Sequence, residues 1–201
     1  MLRMVLMVAL ALSWTAVQAD PRDRLERFAD GLDSLSGSFQ QTIVDEDGFI
    51  VEESSGTLIF LAPDRFRWDY TDPFPQQLIA DGERLWHFDE SLDQVTVRDQ
   101  PDAADSPLLV LTRPELLDRF YHIEASGRDD ALQFVPRDED GDFERATLEF
   151  REDMPVMLVL VDRIVGQTTE LELIDLQRNP ELDPGEFDFE PPEGVDVLEG
   201  Y

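Results

Sequence analysis

The chain has 201 residues, with 46 acidic side chains against 16 basic ones and a formal net charge of -30. This excess of carboxylates repels polyanions and disfavours a nucleic-acid-binding protein. The absence of cysteine excludes thiolate metal sites, thiol nucleophiles, disulfides and an N-terminal lipid-anchoring cysteine. All 16 basic residues are arginine, and this acidic, lysine-free composition indicates adaptation to high salt, where self-repulsion is screened.

The N-terminus has the pattern of an export signal. Arg3 precedes an apolar run over residues 4–14, and Val17 and Ala19 supply the small residues of a cleavage site. The apolar run is too short to span a bilayer as a helix, which makes a retained anchor the less favoured interpretation. We predict a cleaved signal peptide over residues 1–19, a single mature domain over residues 20–201, and a periplasmic location.

The mature chain begins with an amphipathic helical pattern. Asp20 is a candidate N-cap, and Pro21 takes the first helical position, where proline is tolerated. The following apolar residues recur at spacings of three and four, which is typical of a helix with one buried face. They are Leu25, Phe28, Ala29, Leu32 and Leu35. We predict a helix of about four turns that packs on a sheet and ends near Gly37.

Most of the remaining chain has strand patterns. The predicted strands cover residues 39–44, 49–53, 57–61, 65–70, 76–80, 84–88, 95–97, 122–125, 132–136, 143–152, 156–165 and 168–176. Asp47-Gly48 and Asp81-Gly82 have the composition of tight hairpin turns. Large apolar residues alternate along four neighbouring strands, and we expect them to share one face of the sheet. They include Phe66, Trp68, Tyr70, Trp86, Phe88, Val95 and Val97.

The pattern changes to helical spacing in the middle of the chain. We predict short helices at residues 106–111 and 113–121, with Pro107 and Pro114 near their starts. Helices of this length are marginal alone and must lie on an apolar surface. The predicted fold is therefore mainly β with some α: an unclosed antiparallel barrel, or half-barrel, covered by the N-terminal helix and the short mid-chain helices.

Motifs for catalysis are lacking. His87 and His122 are the only histidines and do not have a zinc-site spacing; His87 is expected to face outward from its strand. Residues 138–142 are acidic but lack the spacing of a calcium loop, so a hairpin loop is favoured. No nucleophile elbow or phosphate-binding glycine loop is present. We predict a protein that is not an enzyme and has neither a metal nor a cofactor.

The aromatic face of the predicted sheet has two interpretations. It is either an ordinary core or the lining of a cavity, because a curved sheet covered only by short helices is not always filled by its own side chains.

Several segments together resemble the signature of the LolA family of periplasmic outer-membrane lipoprotein carriers. They are residues 54–70, 71–76, 79–82, 85–89 and 94–98, with residues 38–41, 187–189 and 192–197 as further support. The resemblance implies a half-barrel that encloses an apolar cavity for lipoprotein acyl chains, without cofactor or hydrolysis. It also implies a monomer that receives lipoproteins from an inner-membrane ATP-driven releasing complex and passes them to an outer-membrane receptor lipoprotein.

The resemblance assigns residues to the cavity and its lid. The expected cavity residues are Leu58, Phe60, Phe66, Trp68, Tyr70, Trp86, Phe88, Val95 and Val97, and the expected lid residues are Leu108, Leu109, Leu111 and Leu117. Many family members have a basic lid latch before the proline that corresponds to Pro63, but here that residue is Ala62, which leaves Arg65 and Arg67 as candidate latches. Two alternatives remain open: a lipid-binding sensor or receptor of the same fold, the receptor being disfavoured by the missing cysteine, and a secreted hydrolase.

Overall fold

The computed structural model describes residues 20–100, 112–138 and 143–200. Within these ranges, helix α1 (Pro21–Ala29) precedes twelve strands, and helix α2 (Leu117–Phe120) lies between the sixth and seventh strands. The strands are β1 (Ser34–Val44), β2 (Ile50–Leu61), β3 (Arg65–Asp72), β4 (Gln76–Ala80), β5 (Arg84–Asp89), β6 (Gln94–Asp99), β7 (Tyr121–Ala125), β8 (Ala131–Pro136), β9 (Phe143–Arg151), β10 (Met154–Asp162), β11 (Thr168–Arg178) and β12 (Asp196–Glu199).

The twelve strands form one sheet in the order β12-β6-β5-β4-β3-β2-β1-β11-β10-β9-β8-β7. All neighbours are antiparallel except β12, which runs parallel to β6. The two outermost strands, β12 and β7, are not paired with each other in the described ranges, so the barrel is unclosed. The predicted fold class is confirmed. No helix in the described residues has the length and apolar character needed to cross a membrane.

Helix α1 is shorter than predicted. Asp20 caps it by accepting a hydrogen bond from the Arg22 backbone N–H at 2.9 Å, as expected, and Leu25 and Phe28 are fully buried. However, the helix ends at Ala29 rather than near Gly37, because Gly31 turns the chain at a φ of +64°. Leu35 belongs to β1, where pairing with β2 and β11 overrides the helical spacing that continued past the turn.

The mid-chain helices also differ from the prediction. The segment predicted as one helix over 113–121 contains a 3-10 turn at Pro114–Leu116 followed by the single turn of α2. The helix ends because Tyr121 pairs with Pro136 as the first residue of β7. The other predicted helix, at 106–111 with Leu108, Leu109 and Leu111, lies outside the described residues. The two predicted strands at 49–53 and 57–61 are one continuous strand, β2.

The sheet has two faces with different coverings. The inner face carries Leu58, Trp68 and Leu148, and α1 covers part of it near β8 and β10. Side chains from α1, from β2 and β3, and from β8 and β9 belong to one buried cluster, so the sheet curves around a common core. The outer face is the opposite side of the strands.

The outer face is covered by the end of the chain. We call residues 184–199 the C-terminal strap: it begins with a 3-10 turn, Pro184–Phe187, next to β3, and ends as β12 beside β6. Phe187 is fully buried, and the Phe189 ring centroid lies 5.6 Å from that of Trp86 and 6.0 Å from that of Phe88. Arg67 Nη1 donates to the Glu186 carbonyl at 3.2 Å. The strap therefore packs against apolar side chains that the β3–β6 part of the sheet carries on its outer face.

Candidate functional site

The strand register divides the predicted aromatic face into two. Leu58 pairs with Trp68, Trp68 with Leu78, and Leu78 with His87, so these residues share the inner face. Trp86 pairs with Val97, and Phe88 with Val95, on the outer face. The prediction that Trp86, Phe88, Val95 and Val97 point the same way as Phe66, Trp68 and Tyr70 is wrong.

The reason is the length of the β4–β5 turn. Only Gly82 and Glu83 lie between the paired positions Asp81 and Arg84, whose backbones are joined by a 3.1 Å hydrogen bond. In a two-residue hairpin an even-numbered residue is always opposite an odd-numbered one, so the inner face passes from Leu78 to His87 and not to Trp86. His87 was expected to face outward, and this prediction is also wrong.

A cavity of about 570 Å³ lies against the inner face of β1 to β6. It is bordered by Tyr70 on β3, Leu78 on β4, and Leu85 on β5, and Phe74 in the β3–β4 connection stands at its margin. The cavity has polar as well as apolar walls, since Gln41, Glu52 and Ser54 border it. It is therefore suited to a ligand that has both an apolar and a polar part.

The predicted cavity residues take three different positions. Tyr70 borders the cavity. Leu58, Phe60, Phe66 and Trp68 are buried in the core on the same face, so their contact with an acyl chain stays a prediction. Trp86, Phe88, Val95 and Val97 lie beneath or beside the C-terminal strap. Among the lid residues, Leu117 on α2 is fully buried in the core, and its role as part of a lid also stays a prediction.

The polar walls form two hydrogen-bonded groups. The Tyr70 hydroxyl donates to Gln41 Oε1 at 3.3 Å, and burial, together with the charge of Glu52, raises the pKa of Tyr70 above its ordinary value. On the neighbouring strands, Gln76 Nε2 donates to Asp89 Oδ2 at 3.4 Å, and Gln76 Oε1 lies 3.1 Å from His87 Nε2. These contacts hold the polar side chains along one end of the cavity.

Two buried polar atoms on the inner face have no hydrogen-bond partner among the described residues: Ser54 Oγ and Trp68 Nε1. Ser54 is only 8% exposed and borders the cavity. Native proteins rarely leave such atoms unpaired, because the lost hydration is not replaced. The Ser54 hydroxyl is therefore an unsatisfied hydrogen-bonding group at the polar end of the cavity.

Neither candidate latch lies on the inner face. The side chains of Arg65 and Arg67 alternate to the outer face, where Arg67 forms an ion pair with Asp69 at 2.8 Å and binds the strap. The contact from the mid-chain segment to the β2–β3 turn is made by Arg113, whose Nη2 donates to the Pro63 carbonyl at 3.0 Å. The family pattern places the basic latch residue on the β2–β3 turn, before Pro63. In the described residues the basic side chain of this contact is instead on the mid-chain segment, and the turn supplies the carbonyl acceptor.

Exposed apolar side chains cluster at one end of the sheet, which we call the loop rim. They belong to the start of β2 and to the β1–β2, β3–β4, β5–β6 and β10–β11 connections, which leave the sheet on the same side because the strands are antiparallel. They are Phe49, Ile50, Val51, Phe74, Leu92, Ile164 and Val165. Apolar groups exposed together on a highly charged protein indicate a surface that contacts another molecule.

Sequence reasoning missed several residues that border the cavity, among them Gln41, Ser54, Leu78 and Leu85. Ser54 and Gln41 pair directly across β1 and β2, and Leu78 pairs with His87 across β4 and β5. The signal that could have found them is the residue count across each hairpin turn, which fixes the residues that share a face. In the described residues no group of three or more potential ligands has the arrangement of a metal site.

Comparison with known proteins identifies the family. The family model described as "Outer membrane lipoprotein carrier protein LolA" matches residues 30–190. Two relatives named outer-membrane lipoprotein carrier protein are similar over most of their length. The relative from Alkalilimnicola ehrlichii is 46% identical, over 92% of this chain and 86% of its own. The relative from Halorhodospira halophila is 40% identical, over 97% of this chain and 93% of its own.

A crystal structure of an uncharacterized conserved protein from Thermus thermophilus has a similar fold, with a TM-score of 0.55 and 14% identity over 89% of this chain and 98% of that one. The relatives are named as carriers, which confirms the expectation that the chain is not an enzyme. The match covers most of the chain and confirms the resemblance noted from the sequence. The chain belongs to the LolA family of outer-membrane lipoprotein carrier proteins.

Proposed function

We propose that this protein binds the acyl chains of lipoproteins at its inner face and carries them through the aqueous periplasm. The observation that supports this proposal is the cavity of about 570 Å³ beside Leu78 and Leu85, in a chain of the lipoprotein-carrier family. The proposal includes a cleaved signal peptide over residues 1–19 and a monomeric carrier domain over residues 20–201.

The need for such a carrier follows from the energetics of acyl chains in water. Burying one chain stabilises it by about 0.8 kcal/mol per CH₂, or roughly 10 kcal/mol for a myristoyl chain. A lipoprotein therefore does not leave a membrane unless its chains find another apolar surface. A carrier whose cavity stabilised the chain by the full free energy of transfer from water would hold the cargo too tightly to release it. Mixed polar and apolar walls moderate the affinity and favour release.

We further propose that cargo arrives from an inner-membrane ATP-driven releasing complex and leaves to an outer-membrane receptor lipoprotein. The loop rim supports this route, because Phe74 belongs both to the rim and to the margin of the cavity. A partner that covers the rim shields the acyl chain from water while the chain moves between the two proteins. In this interpretation, α1 and the segment 113–120 cover the rest of the inner face.

Tryptophan quenching by brominated acyl chains tests where the ligand binds. The mature chain has two tryptophans, Trp68 on the inner face and Trp86 on the outer face. Trp86→Phe leaves only the inner reporter, and Trp68→Phe leaves only the outer one. Because bromine quenches on contact, we expect a brominated fatty acyl ester to quench Trp68 fluorescence and leave Trp86 unaffected. Quenching of Trp86 alone would place the ligand under the strap and contradict the proposal.

Release from vesicles tests the transfer route. Inner-membrane vesicles that contain the releasing complex are incubated with ATP and the mature protein, and soluble lipoprotein is measured. We expect Ile164→Asp on the rim to reduce release while leaving binding of the acyl ester unchanged. Val197→Asp is the matched control, since Val197 is an exposed apolar residue of β12 that pairs with Val95 on the outer face, outside the rim. Equal release by both variants would remove the rim from the route.

A further inference from the structure

The inner face is graded from apolar to polar along its strands. On β2 the inward positions run from Phe60 and Leu58 to Ser54 and Glu52, and on β4 they run from Ala80 through Leu78 to Gln76. The polar end is next to the loop rim, because β2 starts there and β3 ends there. Ser54 and Leu58 are four residues apart, about 13 Å along the strand.

The polar end provides hydrogen-bond donors toward the cavity. Ser54 Oγ is buried and unpaired in the described part of the structure, and Gln41 lies directly opposite it on β1. The oxygen of the Gln41 amide already accepts from the Tyr70 hydroxyl at 3.3 Å. The NH₂ group of Gln41 is a further donor that the side chain can offer a ligand. A hydroxyl and an amide N–H side by side are complementary to a carbonyl oxygen.

The charge of the same region selects against an anion. Glu52 borders the cavity on the strand that carries Ser54, two residues away. A carboxylate or phosphate bound beside Ser54 would meet the like charge of Glu52. The positive charge in the lining, Arg98, pairs across β5 and β6 with Leu85, nearer the opposite end of the strands. A neutral acceptor fits the polar end best.

We propose that Ser54 and Gln41 form a subsite for a neutral acyl carbonyl, the ester or amide that joins a fatty acyl chain to its head group. This inference rests on the proposed function and adds an orientation to it. The carbonyl binds between β1 and β2, the chain extends toward Leu78 and Leu85, and the head group stays at the loop rim. The cargo is thereby held with its protein part outside and its chain inside.

Matched ester and ether lipids test the subsite. Dioctanoylglycerol has two ester carbonyls, whereas dioctylglycerol has ether oxygens and similar chains. We expect the mature protein to bind the diester about three- to tenfold more tightly, the difference that one neutral hydrogen bond makes. Ser54→Ala should reduce this ratio to near one by weakening the diester alone. Ser55→Ala is the control, because Ser55 is the neighbouring residue on β2 and faces outward.

Each outcome of these titrations has a distinct meaning. Equal affinities for diester and diether in the wild-type protein would overturn the subsite and leave the cavity in place, whereas no binding of either lipid would overturn the proposed function as well. Tighter binding of octanoate than of the diester would show an anion site instead. If Ser54→Ala does not fold, Gln41→Met, which keeps the side-chain length and removes the N–H donors, gives the same test.

Discussion

The two faces of the sheet carry similar apolar side chains but differ in how fully other parts of the chain pack against them. On the outer face Phe187 is fully buried and Phe189 lies against Trp86 and Phe88, so the chain's own end fills the available space. The indole N–H of Trp86 also has a hydrogen-bond partner, since Trp86 Nε1 donates to Asp81 Oδ2 at 2.9 Å. On the inner face a cavity of about 570 Å³ remains, and Ser54 Oγ at its wall is unpaired.

This difference shows that aromatic residues in a strand do not by themselves identify a binding face. On the outer face the rings of Trp86 and Phe88 both contact the Phe189 ring at tilted angles, and this packing contributes to stability. The inner face has polar and apolar walls with an unsatisfied hydroxyl, and it leaves space for another molecule. The distinguishing feature is incomplete packing and incomplete hydrogen bonding, which are properties of the folded chain. Substitutions should separate the two roles.

The largest expected effect is on the outer face. Phe187→Ala removes a fully buried ring of the strap and should lower the free energy of unfolding by about 3–5 kcal/mol, measured by urea denaturation. Phe74→Ala, an exposed ring on the loop rim, should change it by less than about 0.5 kcal/mol. The folded Phe187→Ala protein should bind acyl ester within twofold of the wild type. A much larger loss of binding would mean that the strap contributes to the site.

An intermediate effect is expected at the polar end of the inner face. Burial and the charge of Glu52 raise the pKa of Tyr70, so the folded protein favours the neutral phenol. The unfolded chain therefore ionises first, and this contribution to stability is complete below about pH 10 and is lost as the pH rises through the raised value. Urea denaturation between pH 8 and pH 11 should show a steeper decline for the wild type than for Tyr70→Phe. Parallel declines would contradict the burial of this hydroxyl.

Much of the fold could be predicted from the sequence because it depends on local signals. The Asp-Gly turns, the alternation in β3 and the Asp20 cap each act within a few residues, and each is present in the structure. The end of α1 was predicted wrongly because Leu32 and Leu35 continue the helical spacing beyond Gly31. Pairing of β1 with two neighbours decides that region, and such pairing is not visible locally.

The candidate site was less predictable, because its location depends on register. Tyr70 borders the cavity, and its contact with an acyl chain stays a prediction. Trp86 and Phe88 were placed on the wrong face because the prediction did not count the two residues of the β4–β5 turn. The closure of the outer face by Phe187 and Phe189 could not be anticipated from strand patterns, since it joins residues about a hundred positions apart. Strand register places Ser54 on the inner face, but its burial without a hydrogen-bond partner is a property of the folded chain only.

The smallest expected effect on stability comes from removing either of two arginine contacts, one at the β2–β3 turn and one on the outer face. Arg113 binds the Pro63 carbonyl, and Arg67 binds the Glu186 carbonyl. Each bond is at the surface, so each Arg→Ala change should lower the free energy of unfolding by about 1 kcal/mol or less.

If the Arg113 bond stabilises a ligand-free arrangement that competes with cargo, Arg113→Ala should bind acyl ester up to about fivefold more tightly, because less of the protein is held in that arrangement. Arg67→Ala should leave the affinity unchanged, since its bond holds the strap to the outer face. Weaker binding by Arg113→Ala would instead mean that the bond shapes the site for the ligand.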